Sequence, residues 1–165
     1  MAKNKGFTLL ETIIVLAIMT IFFAVSIPLF SKFMERAKMD TAARSVASAL
    51  RTARSYAITR NADYYVVFDT STTPDEYFVS ADSTNPIDKK YKLPAGIWFC
   101  RPGAVADPIG EAIEFTGDIA CFKPTGELNE TAAETLVYLA DGDDASAENT
   151  KTMTVERTTG RVKIN

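Results

Sequence analysis

Hydrophobic positions are packed at one end of this chain: from Phe7 to Phe30 the only charged residue is Glu11. An uninterrupted run of about 20 apolar residues is the length at which a helix crosses the hydrocarbon core of a bilayer. Lys3 and Lys5 precede the run, and Lys32, Arg36 and Lys38 follow it, so basic residues flank both ends and give no clear orientation. A secretory signal would have an apolar core of about 7–15 residues ending in a small-residue cleavage site. This run is longer, and Ser31 to Arg36 carries no such site. The pattern predicts a retained membrane helix.

From Ser31 the periodicity becomes amphipathic. Met39, Ala42, Ala43, Val46, Ala49, Leu50, Ala53, Tyr56 and Ala57 recur at three- and four-residue spacings, with Arg44, Arg51 and Arg54 on other faces. Neither Pro nor Gly interrupts Ser31–Arg60, and Asn61 suits the left-handed residue that ends a helix. One helix from Phe7 to Arg60 would be about 80 Å long. The small residues of the stripe favour close packing on a sheet over a coiled coil.

After Asn61 the pattern turns to β. Tyr64–Phe68 and Glu76–Val79 are aromatic and β-branched, with Thr70–Asp75 as a turn. Further strands are expected at Gly96–Cys100, Ala112–Phe115, Ile119–Lys123, Thr135–Ala140, Thr152–Arg157 and Arg161–Ile164. The last two form a hairpin across Thr158, Thr159 and Gly160. The predicted fold is α+β: a long N-terminal helix, its first half membrane-spanning, packed on a C-terminal antiparallel β-sandwich or curved sheet. The chain divides into a leader (1–6), a membrane and assembly helix (7–30), an amphipathic helix half (31–60) and a β-rich globular domain (61–165).

Charge sharpens that division. Residues 1–60 hold nine Lys/Arg against three acids, a net of +6; residues 61–165 hold nine against eighteen, a net of −9. Histidine is absent, which removes Ser-His and Cys-His catalysis and every His-ligated metal. Two cysteines cannot build a four-ligand zinc site. Nothing places two acids in one pocket for general acid–base work, so no enzyme, cofactor or metal is expected.

Glu11 is the anomaly. A carboxylate at the bilayer centre costs about 2.5–3.5 kcal/mol on insertion scales, so it is either hydrated near the interface or awaits a cation. Cleavage between Gly6 and Phe7 would supply one, an α-amine four residues before Glu11. Lys5-Gly6-Phe7-Thr8-Leu9-Leu10-Glu11 followed by an apolar run resembles the class III signal of type IV pilins and pseudopilins. The resemblance implies that a prepilin peptidase cuts after Gly6 and methylates Phe7. It also implies that Glu11 pairs with a neighbour's terminus during assembly. Pro28 sits where family members often carry a proline that loosens the packed helix, although a tolerated membrane-helix kink reads equally well. Thr20 stands where many pilins have glycine.

The later blocks narrow the family. Ala43–Arg60, Leu93-Pro94-Ala95-Gly96-Ile97, Phe122 to Gly126 and Thr159-Gly160-Arg161-Val162 are similar to those of H-type minor pseudopilins of type II secretion and FimT/FimU-like minor pilins. This implies a subunit of a type II secretion pseudopilus or type IV pilus, near its tip. Its partners would be other pilins or pseudopilins, the prepilin peptidase and the inner membrane. It would cross that membrane once, with its C-terminal domain in the periplasm. In an oxidising periplasm Cys100 and Cys121 could form a disulfide or stay as buried thiols. The acids of Asp141–Asn149 (DGDDASAEN) lack EF-hand spacing and read as a solvated loop. The alternative function is a DNA-receiving minor pilin, with Arg157, Arg161 and Lys163 on the final hairpin meeting phosphates. The domain's −9 opposes a polyanion, which ranks nucleic acid below the structural role. A membrane-tethered enzyme or sensor ranks last, because it leaves the leader unexplained.

Overall fold

The computed structural model describes residues 8–100, 112–141 and 150–165. Two compact units divide the chain, Met1–Ala37 and Lys38–Asn165. A single helix, α1, runs from Leu9 to Arg60 and passes through Pro28 as one element. In the first unit its large apolar side chains are exposed, among them Leu9, Ile13, Leu16, Ile21, Phe22, Phe23 and Phe30. The hydroxyls there are satisfied within the helix: Thr20 Oγ1 donates to Leu16 O at 2.8 Å and Ser26 Oγ to Phe22 O at 2.7 Å.

The second unit begins on the amphipathic part of α1. Ala42, Ala43, Val46, Ala47, Leu50, Ala53 and Ala57 are almost completely buried. Alanine at so many of these positions lets the helix axis approach the strands closely. The helix ends as the sequence predicts. Asn61 takes φ 50°, and the Ala62 N–H donates to Ala57 O at 3.3 Å, which is the Schellman arrangement.

Among the described residues eight strands follow: β1 (Tyr64–Asp69), β2 (Glu76–Ser80), β3 (Tyr91–Lys92), β4 (Ile97–Phe99), β5 (Ile119–Phe122), β6 (Glu134–Asp141), β7 (Thr150–Glu156) and β8 (Val162–Ile164). They form two four-stranded sheets in the orders β3-β2-β1-β5 and β4-β6-β7-β8. Every pairing is antiparallel. Inward residues of both sheets join the helix stripe in one core. Phe68 of β1 and Phe99 of β4 meet edge to face at 5.3 Å, and Phe68 stacks on Phe115 at 5.9 Å, so aromatic rings bind one sheet to the other.

Two expectations change. Ala112–Phe115 is no strand of its own; it supplies one bridge, Ile113 to Val137. The Tyr138 N–H donates to Ala112 O and the Glu114 N–H to Leu136 O, while the Cys100 N–H donates to Tyr138 O. One flank of β6 is thus shared by β4 and this segment, which keeps both short. β3 was absent from the sequence reading, since a two-residue strand leaves no periodicity.

Candidate functional site

Thr8 and Glu11 open α1. The Glu11 N–H donates to Thr8 Oγ1 at 3.2 Å, so Thr8 caps one of the unpaired first-turn amides. Thr-x-x-Glu is also the spacing of a capping box, which gives Glu11 a structural reading beside its expected assembly role. Gly6 and Phe7 lie outside the described residues. Beyond the first turn, the exposed apolar surface continues through Phe33 and Met34. Among the described residues no helix is long and apolar enough to cross a membrane. The sequence nevertheless runs uncharged from Thr12 to Ser31.

The other sequence-identified residues are scattered. Cys100 follows β4 of one sheet and is buried, Cys121 lies half-buried in β5 of the other, and the two are thiols, not a disulfide. Burial pushes both thiols above the ordinary range, so neither is poised as a nucleophile. Arg157, Arg161 and Lys163 are all exposed around the β7–β8 hairpin. Asp141 closes β6, and Gly142, Asp143 and Asp144 lie outside the described residues.

What the structure does assemble is a junction around the helix end that the sequence reading missed. Arg54 Nε donates to Gly126 O at 3.2 Å and Arg51 Nη2 to Val162 O at 3.1 Å. Gly126 and Gly160 have φ of +84° and +60°, and a Cβ on Gly160 would stand 2.2 Å from Gly126 O. The two turns therefore touch backbone to backbone beneath Arg54. Arg60 stacks on Tyr56 at 4.7 Å and bonds Tyr64 Oη at 2.8 Å. Arg51 and Arg54, which the periodicity places off the apolar stripe, join Arg60 as the helix's grip on the β domain.

A second polar device sits between the sheets. Asp75, 7% exposed, accepts from the Phe99 N–H at 2.8 Å through Oδ2, and its backbone oxygen accepts from the Leu93 N–H. Burial holds its carboxyl above the ordinary range, against the lowering effect of the Phe99 bond. Ser45 and Tyr77 hydroxyls meet at 2.6 Å across the helix and β2.

Residues 42–165, three quarters of the chain, match the family described as Type II transport protein GspH. The chain belongs to that family. The GspH match spans the junction glycines and arginines. Residues 1–27 match the prokaryotic N-terminal methylation motif. The type IV minor pilin FimU of Pseudomonas aeruginosa superposes with a TM-score of 0.56 at 14% identity, covering 81% of this chain and 92% of that one. The minor pseudopilin EpsH of Vibrio cholerae superposes with a TM-score of 0.51 at 14% identity, covering 78% and 96%. No curated protein matches significantly. This GspH-family chain carries the prokaryotic N-terminal methylation motif and shares the fold of these minor pilin and pseudopilin structures.

Proposed function

We propose that the chain is a minor subunit inserted near the tip of a type II secretion pseudopilus or the related type IV pilus. Before assembly it is anchored in the inner membrane by the segment 7–30, with the β domain in the periplasm. Prepilin peptidase cuts after Gly6, where a side chain would crowd the enzyme, and methylates Phe7. The new terminus pairs with Glu11 of a neighbouring subunit, neutralising two charges in a low-dielectric setting. Helix packing around Pro28 adapts to the filament.

One observation carries this reading: the first unit displays large apolar side chains from Leu9 to Met34 and has no buried side chain among its described residues. Water is a poor solvent for that much contiguous apolar surface, and a bilayer followed by a filament core would cover it at each stage. Mass spectrometry of the membrane fraction from cells with a prepilin peptidase tests the first step. The expected chain begins at methylated Phe7; an intact Met1 or Ala2 terminus refutes the assignment. Glu11→Ala is expected to leave the β domain folded and to cut filament incorporation at least tenfold. Equal incorporation of mutant and wild type removes the pairing role.

A further inference from the structure

The two sheets have four edge strands, and on three of them the chain's own groups meet an outward backbone group. On β4 the outward Phe99 N–H is taken by Asp75. Along β5 runs Glu127–Asn129, which bridges Phe122 through Leu128 and donates the Asn129 N–H to Cys121 O. On β8 the outward Val162 O is taken by Arg51. The fourth edge, β3, pairs inward with β2 through Tyr91 opposite Tyr77 and the Leu93 N–H on Asp75 O. That alternation turns the N–H and C=O of Lys92 outward, and among the described residues none hydrogen-bonds them.

This edge differs chemically from the rest of its domain. Lys89, Lys90 and Lys92 cluster there in a region whose net charge is −9. Lys89 lies 5.1 Å from the Tyr91 ring, while Lys92 and Lys90 reach Glu76 at 2.9 and 3.8 Å. Glu76 meets two of these ammonium groups and Asp69 also feels Lys90, while Lys89 lies against the Tyr91 ring with no carboxylate partner among the described residues. Beside the strand is a cavity of about 110 Å³ lined by Ser45, Ser48 and Thr52 of α1 and by Tyr77 and Tyr91. The Ser45 and Tyr77 hydroxyls bond each other and Thr52 donates to Ser48 O, so the Ser48 and Tyr91 hydroxyls, beside the apolar Ala49 and Val79, are the ones offered to side chains arriving next to β3.

We propose that β3 receives an extended acidic segment of a neighbouring subunit, added as a further strand of the β3-β2-β1-β5 sheet. Main-chain bonds to Lys92 supply the pairing, the lysines select carboxylates, and the hydroxyl-lined cavity takes alternate side chains. Lysine on an edge strand ordinarily guards against indiscriminate pairing. Here the same lysines admit an anionic strand while repelling a neutral or basic one, which is how a selective edge differs from an aggregating one. The inference rests on the assembly reading for the identity of its partner.

The test needs no filament. The full chain in neutral detergent is titrated with a synthetic peptide alternating Glu and Val, and with its Lys–Val counterpart, while amide exchange is followed residue by residue. The acidic peptide is expected to slow exchange at Lys92 at least tenfold, saturably, and to weaken on moving from low to physiological salt. Replacing Lys89, Lys90 and Lys92 together by Gln should abolish that protection with the domain still folded. Lys92→Pro removes the outward N–H together with the Lys92 ammonium and its ion pair with Glu76; because that variant has no amide at residue 92, its effect is read by calorimetry, where the acidic peptide should bind more weakly with the lysines at 89 and 90 still in place. Equal protection by both peptides, protection retained in the triple Gln variant, or no saturable effect overturns the proposal. Any of these results leaves Phe7 methylation and the Glu11 experiment untouched, so the two readings fail separately.

Discussion

Gly160 shows how much one missing Cβ can decide. Gly117 and Gly160 share the left-handed region, with φ of +68° and +60°, but only Gly160 is enclosed: an added Cβ would meet Gly126 O at 2.2 Å, whereas nothing lies within 4 Å at Gly117. Gly117→Ala should therefore cost only the left-handed penalty, about 1 kcal/mol. Gly160→Ala carries that penalty and an overpacking term, about 3 kcal/mol or more together. Urea unfolding of the two variants measures the difference, and equal costs would show that the two turns can separate freely. The glycine was visible in the sequence as a hairpin residue. Its contact with a turn some thirty residues earlier was not, because proximity between turns leaves no local pattern.

At the level of elements, two aspartates should bend the stability curve in opposite directions. Asp75 sits between β2 and β4 with its carboxyl held above the ordinary range by burial. The folded state keeps this proton at pH values where the unfolded chain, near pKa ~3.9, has lost it. Its contribution is full below about pH 4 and is lost as pH rises through the folded value. Asp82 is the converse. Backbone N–H groups of Asn85 and Thr84, the Asn85 amide and the Ser80 hydroxyl hold its carboxylate well below the ordinary range. Its contribution is present above about pH 4 and is lost as pH falls. Asp75→Asn should flatten the stability profile above pH ~4 and Asp82→Asn below it, as read from denaturation midpoints across pH. A change of slope in the same window for both variants would contradict this assignment. The strands these residues join were legible to different degrees. β1, β2, β6 and β7 announce themselves through runs of aromatic and β-branched residues. β3 did not, because edge pairing over two residues depends on neighbours distant in sequence; Ala112–Phe115 reads as a strand but is held to a single bridge because β4 takes the rest of that flank of β6. The amphipathic half of α1 was legible down to its C′ residue. The arginine contacts that anchor it were invisible, since periodicity separates apolar from polar faces but does not name a polar partner.

On the scale of the whole molecule, the division between Ala37 and Lys38 makes the second unit a candidate for independence. Its core draws on α1 only from Met39 onward, and Lys151 reaches Asp40 at 3.3 Å near the start of that stretch. A fragment of residues 38–165 keeps every member of the core and discards the exposed apolar surface. It is expected to be soluble and to unfold cooperatively, and Leu50→Ala, at a fully buried position, should lower its stability by about 2–5 kcal/mol. A molten fragment, insensitive to that substitution, would mean that the first unit is needed for folding. The fragment also judges the nucleic-acid alternative. It holds fourteen Lys/Arg against nineteen Asp/Glu, a net of −5, and such a charge repels a polyanion beyond the reach of any local patch. Arg157, Arg161 and Lys163 are exposed, yet a few phosphate contacts give binding that falls steeply with salt. No gel shift of duplex DNA is expected at physiological ionic strength. A shift that persists there and is lost in Arg161→Ala would show that the hairpin overcomes the field of the whole domain, and would place DNA reception beside filament assembly as a role of this subunit.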